Sequence, residues 1–489
     1  MTRTFMKNAT RSRGVPMTWL AVMLAASTGQ AQTFDRTKPP VLGPPPSLTV
    51  PPTTERTLPN GLRLIVIEQH ELPLVDIQLV VKTGGEADPK NKTGTASLTA
   101  TLLTEGTATR TSQAIAEQQA FLGVSVFASS GWDRASVSLH APVAVLDSAL
   151  ALFADVALHP AFPQTEFDRQ RKLRMTQLLQ LKDRGPSMAD RAFVAILYGD
   201  DHPYGRPLAG IETTVESLTR DDLASFYKTY YRPNNSFIVV AGDVTVADIE
   251  RRVNAAFGGW EKAAVPAVQF PAPPVRSDRR IYVVDKPGAP QSSFRIGSVG
   301  VARSTGDYYP LRVMNTILGE PFTSRLNQNL RENKNFTYGA GSSFSMRREP
   351  GPFMASAEIR DTVTGAALVE FMKELENIRK PVPADELAKA KKYLQLGLPA
   401  DFETTGQIAG QMATYALFGL PLNEPSQAVA KIGAVSTADV TRVANKYLDP
   451  SKMAIVIAGD AKRIVPLLKA TGIGPVEMRD SYGKPVIVP

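Results

Sequence analysis

Residues Phe226 to Val244 read FYKTYYRPNNSFIVVAGDV, and Val443 to Ala461 read VANKYLDPSKMAIVIAGDA. The two stretches align without a gap at an offset of 217 residues (443 − 226), with identities at Tyr230/Tyr447, Pro233/Pro450, Ile238/Ile455, Val239/Val456, Ala241/Ala458, Gly242/Gly459 and Asp243/Asp460. The same offset pairs Leu218-Thr219 with Val435-Ser436, Asp222 with Asp439, and Pro73 with Pro290. One offset shared at separate places marks a duplicated domain and not a short-period solenoid. Each copy predicts the same local order. Thr219/Asp222 and Ser436/Asp439 have the hydroxyl-x-x-acid spacing that caps the free N–H groups of a helix start. Each helix then meets a proline-containing turn and a β-branched strand ending Ala-Gly-Asp.

Working outward, each half opens on two alternating strands, Leu62 to Glu68 and Val75 to Thr83 in the first, Arg280 to Asp285 and Gln291 to Val299 in the second. Helices are predicted in the first half at Thr93 to Leu103, Ser112 to Leu122 and Pro142 to Ala154, with a further one at Phe167 to Leu181. Strands and helices mix without strict alternation, which predicts an α+β fold: two homologous domains, each a mixed, mostly antiparallel sheet covered by helices. The predicted layout is a signal peptide (1–31), a proline-rich lead-in strap (32–52), a first domain (53–264), a proline-rich linker (265–275) and a second domain (276–489). Pro266, Pro271, Pro273 and Pro274 carry the linker, and a run from Pro39 to Pro52 favours an extended strap.

The N-terminus has Arg3, Lys7, Arg11 and Arg13 with no acid, an apolar run from Trp19 to Ala26, and small residues up to Ala31. This is the pattern of a secretory signal cut after Ala31, and the run is too short to span a bilayer of about 30 Å. Removing it lowers the formal charge from +8 to +4, so half of the basic balance belongs to targeting. No basic run and no aromatic-basic interleaving marks a nucleic-acid surface. The 489 residues contain no cysteine, which excludes disulfides, a lipoprotein anchor and thiolate metal ligands. An exported protein without a membrane span is expected, periplasmic in a Gram-negative host.

The repeated Ala-Gly-Asp strand, the segment His202-Pro203-Tyr204-Gly205-Arg206-Pro207 and the duplicated half resemble the M16 peptidase family, the clan of pitrilysin and the mitochondrial processing peptidases. The likeness extends over essentially the whole mature chain. Active members carry an inverted zinc motif, His-x-x-Glu-His, on a helix after the second strand, and a third ligand, Glu, on a later helix. Two imidazoles one turn apart and a carboxylate hold Zn²⁺ with an open position, and the motif Glu takes a proton from the metal-bound water. The family pattern G-L-A-H-F-L-E-H-M-L-F-K-G-T falls in register on Gly94 to Thr107. It puts Ser97 and Thr101 at the histidine positions, Ala100 at the catalytic Glu, and Gln177 at the third ligand. Hydroxyls and an amide are poor zinc ligands beside imidazole and carboxylate, and alanine is no base. The four histidines, His70, His140, His159 and His202, are never three to five residues apart. No Gly-x-Ser-x-Gly elbow or phosphate-binding Gly-x-x-x-x-Gly-Lys loop offers another chemistry. Ser342, Ser343 and Ser345 read as strand or turn residues.

The second half, in contrast, contains Ser324-Arg325-Leu326-Asn327-Gln328-Asn329-Leu330-Arg331-Glu332, followed by Tyr338, which resembles the family segment S-R-L-x-x-x-L-R-E-x-x-x-x-x-Y. In active relatives its Arg and Tyr bind the substrate backbone and the tetrahedral intermediate; here they are Arg331 and Tyr338, with Arg325 as a structural ion-pair residue. The resemblance implies a chain inactive alone, with no cofactor of its own, that completes the site of a zinc-bearing partner in a heterodimer acting on unfolded oligopeptides. The alternatives are a structural or assembly protein like the core subunits of respiratory complexes, and a stand-alone peptide-binding module.

Overall fold

The computed structural model describes residues 48–486; the expected signal peptide and most of the proline-rich strap lie outside the described residues. Each half forms one six-stranded sheet. The first contains β1 (Thr53–Thr57), β2 (Arg63–Glu68), β3 (Leu74–Val81), β4 (Ser125–Ser130), β5 (Ala135–Pro142) and β6 (Ser236–Gly242), in the order β1-β2-β6-β3-β5-β4. The second contains β7 (Arg280–Asp285), β8 (Gln291–Val299), β9 (Thr337–Phe344), β10 (Pro352–Arg360), β11 (Ala454–Gly459) and β12 (Val476–Arg479), in the order β12-β7-β11-β8-β10-β9. The fold is the expected α+β duplication.

The repeat persists into the hydrogen-bond register. Leu64 lies opposite Ile238 in the parallel β2/β6 pair, and Ile281 opposite Ile455 in the parallel β7/β11 pair. The remaining pairings within the equivalent strands are antiparallel. The halves differ at one margin: β1 precedes its sheet and runs antiparallel to β2, whereas β12 follows its sheet and runs parallel to β7. Both capping boxes form, with Thr219 and Asp222 starting the helix Arg220–Tyr230, and Ser436 and Asp439 starting Thr437–Tyr447.

β6 and β11 are buried at every residue, and their alternate residues serve different cores. Ile238 and Val240 join the core of the first half, while Phe237, Val239 and Ala241 pack on Ile408, Met412 and Ala413 of the helix Thr405–Leu417. That helix belongs to the second half. Reciprocally, the helix Gly185–Tyr198 of the first half packs Ala189, Ala192 and Phe193 on Val456 and Ala458 of β11 and on Val284 of β7. Each half thus covers one face of its sheet with its own helices and the other with a helix lent by its neighbour. This two-sided burial produces uninterrupted apolar runs such as Phe-Ile-Val-Val-Ala in β6.

The segment His202 to Pro207 belongs to the same seam. Tyr204 is fully buried, and its hydroxyl donates to Asp133 Oδ1 at 2.6 Å and accepts from the backbone N–H of Glu349 at 3.3 Å. Gly205 is required there because a Cβ would collide with the carbonyl of Gly199. The Arg347 guanidinium lies 4.6 Å from the ring centroids of both Trp132 and Tyr204, so the loop after β9 is gripped by the first half.

Three expected boundaries are corrected. The helix expected from Pro142 runs Leu146–Leu158, because Pro142 ends β5 opposite Leu74 in an extended conformation. The helix expected from Thr93 starts at Thr95, because Gly94 at φ 99° turns the chain into it and Asp88 accepts from the N–H groups of Gly94 and Ala96. The helix expected over Phe167 to Leu181 is longer, Gln164–Lys182. No helix among the described residues is long and apolar enough to cross a membrane.

Candidate functional site

Ser97, Ala100 and Thr101 all lie on the helix Thr95–Leu103, against which Gln164–Lys182, the helix of Gln177, is packed. Their environments do not suit a metal. Thr101 spends its hydroxyl on the carbonyl of Ser97 one turn back, at 3.0 Å. Ala100 is fully buried, so the position of the motif base is part of the core. Gln177 is exposed, and its side chain makes no hydrogen bond among the described residues. Ser97 Oγ instead accepts a hydrogen bond from Arg174 Nη2 at 3.1 Å, and Arg174 Nη1 donates to the carbonyl of Ala209 at 3.2 Å. A cation that reaches the first ligand position opposes a second one there, so these residues do not fit Zn²⁺.

Arg174 was missed in the sequence, where it is one of four cations between Arg169 and Arg174 on a helix that reads as a solvated basic face. The available signal was its place three residues before Gln177, hence on the same side of the helix. Burial holds its guanidinium below the ordinary arginine pKa, and no Asp or Glu among the described residues pairs with it.

Two carboxyl groups sit in the loop leading to this helix. Glu86 is buried, pushed up to about 8 by desolvation, with the Arg348 guanidinium 3.7 Å from Oε1 pulling the other way. Asp88, which caps the helix, is pushed up to about 7 by burial against the pull of the Ala96 and Gly94 N–H groups. The histidines serve locally: His70, His140 and His159 lie near Asp243, Asp76 and Asp155, and His202 Nδ1 accepts from the Tyr204 N–H at 3.0 Å. Among the described residues, no group of three or more His, Asp or Glu side chains is placed to hold a metal ion.

The second constellation is built differently. Leu326 and Leu330 bury one face of a short helix (Arg325–Asn327) that widens into a π turn over Gln328–Asn333. Arg325 is tied to Glu386 at 2.8 Å, as expected, and Asn329 donates to Glu370 and Glu374. Asn327 Oδ1 accepts from the Ala340 N–H at 3.0 Å and so fixes the start of β9 to the helix. What remains unanchored is Arg331, whose guanidinium stacks 3.8 Å from the Phe322 ring centroid and, among the described residues, pairs only with the exposed neighbour Glu332, at 2.7 Å.

Tyr338 lies on β9, the edge strand, at a bulge. Ala340 pairs with Ala357 and Thr337 with Ile359, so Tyr338 and Gly339 together face the single residue Glu358. A bulge re-aims a side chain, and here the ring is 90% exposed with no hydrogen bond to its hydroxyl among the described residues. Beside it runs a groove of about 420 Å³ lined by Phe322, Asn327, Gly341, Arg295 and Glu358. Among the described residues, no hydrogen bond or ion pair joins Arg331 or Tyr338 to the helices of Ser97 and Gln177. Ser342 is buried and donates to Asn315 Oδ1 at 2.8 Å, a structural role.

Two family models match the sequence: residues 63–210 match insulinase (peptidase family M16), and residues 217–394 the peptidase M16 inactive domain. An uncharacterized zinc protease of Rickettsia bellii is 23% identical over 402 residues, covering 82% of this chain and 96% of the relative. A probable mitochondrial-processing peptidase subunit beta of Arabidopsis thaliana is 22% identical over 460 residues, covering 89% and 81%. Among solved structures, a peptidase M16 inactive domain from Pseudomonas fluorescens matches with a TM-score of 0.78 at 27% identity, covering 83% of this chain and 98% of that one. A protease from Helicobacter pylori matches with the same TM-score, 0.78, at 22% identity over 84% of this chain and 100% of its own.

Proposed function

The chain belongs to the M16 peptidase family, and on that premise we propose that it is the non-catalytic subunit of a heterodimeric zinc peptidase, lending Arg331 and Tyr338 to the metal site of a partner subunit. The observation that carries this reading is the 90% exposure of Tyr338 on a bulged edge strand. A ring kept for packing would be at least half-buried, and a large aromatic left in water on an edge marks a contact surface. Arg331 supports it from the same segment. An exposed pair such as Arg331–Glu332 contributes at most about 1 kcal/mol, so the guanidinium can exchange that partner for a substrate carbonyl or a developing oxyanion at little cost.

The two halves of a peptidase site have had different fates in this chain. The motif helix offers hydroxyls, a buried alanine and an arginine-bonded serine, while the Arg/Tyr segment is intact and outward-facing. A partner with His-x-x-Glu-His supplies what is missing. Its metal chemistry belongs to that subunit; this chain contributes the guanidinium fork and the phenol O–H as donors to an unfolded oligopeptide. Export by the N-terminal signal would put the pair in the periplasm of a Gram-negative host.

The test co-expresses the chain with an exported relative from the same organism that carries His-x-x-Glu-His, and measures bound zinc and cleavage of a quenched peptide. The complex is expected to cleave and the chain alone to hold no zinc. In the complex, Y338F should lower kcat by about 10² to 10³, the usual cost of one oxyanion donor, at unchanged zinc content. R331A should lower kcat/KM. Stoichiometric zinc and full turnover in this chain alone would overturn the reading, and unchanged turnover in both variants would assign Arg331 and Tyr338 to packing.

A further inference from the structure

We infer that Arg174 takes over the place of the lost metal as a fixed cation and turns the degenerate site into a receptor for a peptide carboxylate. The starting point is the mismatch between the charge and its partners. Arg174 is half-buried, yet its two hydrogen bonds go to a neutral hydroxyl, Ser97 Oγ at 3.1 Å, and a neutral carbonyl, Ala209 O at 3.2 Å. Among the described residues, Arg295 meets Asp190 and Glu358, Arg325 meets Glu386 and Arg110 meets Asp155, whereas Arg347, also without an acid, stacks on Trp132 and Tyr204, and Arg134 donates to Thr414; Arg174 has neither an acid nor an aromatic face. A desolvated guanidinium without a counter-charge is costly, and a strut between two helices needs no charge at all.

The free valences indicate what is missing. A guanidinium has five N–H donors in a planar fork, and two are used, one each on Nη1 and Nη2, leaving three for an anionic acceptor such as a carboxylate. One turn on, Gln177 offers an exposed, uncommitted amide on the same side of the helix, and Leu173, 45% exposed, adds apolar surface next to it. A cation, a neutral donor and an apolar patch in a row fit the end of an oligopeptide: carboxylate on Arg174, backbone on Gln177, side chain on Leu173. Ser97 holds the guanidinium in place from behind. This inference rests on the geometry of the site alone and is independent of any zinc-bearing partner.

The test uses the full chain, immobilised, and two N-acetylated random pentapeptide libraries, one with free C-terminal carboxylates and one amidated, with retained peptides quantified by mass spectrometry. Wild type is expected to retain the free-acid library at least about tenfold over the amide, since hydrogen bonds to a charged group are worth roughly one to two decades in affinity. R174Q should abolish the preference, R174K should keep part of it, and K172Q, at a nearby exposed cation, should leave it intact. Enrichment of Asp- or Glu-containing sequences in the amidated library, lost in R174Q, would support the same carboxylate chemistry from a side-chain source. Equal retention of both libraries without acidic enrichment, no retention of either, or a preference that survives in R174Q with R174K unchanged would overturn it. Partner-dependent turnover is not read in this experiment, so its failure leaves the subunit proposal standing and the reverse also holds.

Discussion

On the inference that the Arg174 guanidinium stands where a metal would, rebuilding the ligands is not enough to rebuild the metal site. The variant S97H/T101H/Q177E recreates the three ligands on the two packed helices, but leaves a cation bonded to position 97. We expect it to retain well under one equivalent of zinc after dialysis, and the same variant with R174L to approach one, measured by atomic absorption. Equal zinc in both would show that Arg174 stands clear of the metal position. The base is a separate loss, because Ala100 is fully buried and a carboxylate placed there would have to be desolvated. Glu86, in the loop before this helix, predicts a pH effect. Its folded-state pKa of about 8 lies above the ordinary 4.5, so the folded chain binds the extra proton and stability falls as pH rises between those values, by up to about 1.4 kcal/mol per unit. The stability gained by E86Q, read as the Tm difference from wild type, should therefore be smallest at pH 5 and grow towards pH 9. Asp88, raised to about 7, keeps a slope of the same sign in both proteins. Ser97, Ala100 and Thr101 could be placed on one helix from the sequence because a helical motif is a local spacing; that Gln177 sits on a helix packed against it is a tertiary fact. Arg174 was not legible, because its meaning depends on which neighbour a helical side chain meets, and five basic residues from Arg169 to Lys182 look alike in one dimension.

The elements that the sequence announced best are those with chemical punctuation. Both capping boxes close, with Thr219 Oγ1 accepting from the Asp222 N–H at 3.2 Å and Ser436 Oγ accepting from the Asp439 N–H at 3.1 Å. T219A and S436A should each cost about 1 kcal/mol, and the double variant about the sum, because the sites lie in different halves. D222A should cost more than D439A in urea unfolding, since Asp222 also holds Lys92 at 2.9 Å from the first half's motif loop, whereas the partner of Asp439 is the exposed Arg442. The helix expected at Pro142 failed for the opposite reason. The alternation Ala-Ser-Val-Ser-Leu-His-Ala carries β5 through to the proline, which ends a strand as readily as it begins a helix. The bulge at Tyr338 was likewise out of reach, because an extra residue in one strand is defined only against its partner.

At the scale of the molecule, the duplication was visible in sequence and the manner of joining was not. Apolar residues on the helices Gly185–Tyr198 and Thr405–Leu417 announce burial, but nothing in their spacing says that each packs on the sheet of the other half. The consequence is energetic. Removing the lent helix from the first sheet uncovers Ile65, Ile67, Val80, Phe237 and Val239, all nearly or fully buried, at roughly 1.5–3 kcal/mol for each large side chain. The seam formed by Tyr204, Asp133 and Arg348 would lose its hydrogen bonds at the same time. A covalent linker therefore adds little to a union already made by exchange. A protease site inserted in residues 265–275 should be cleavable without separating the halves: native size-exclusion should show one species of unchanged size, splitting only in denaturant. Fragments ending and starting in that linker should aggregate when expressed singly and yield the far-ultraviolet circular dichroism of the intact chain when expressed together. Two fragments that each stay monomeric and unfold cooperatively alone would mean that the exchanged helices are dispensable covers. The same rigidity bears on the proposed function, because a donor pair made of Arg331 on the π turn and Tyr338 on β9 can serve a partner's site only if the body that carries it does not hinge at its own linker.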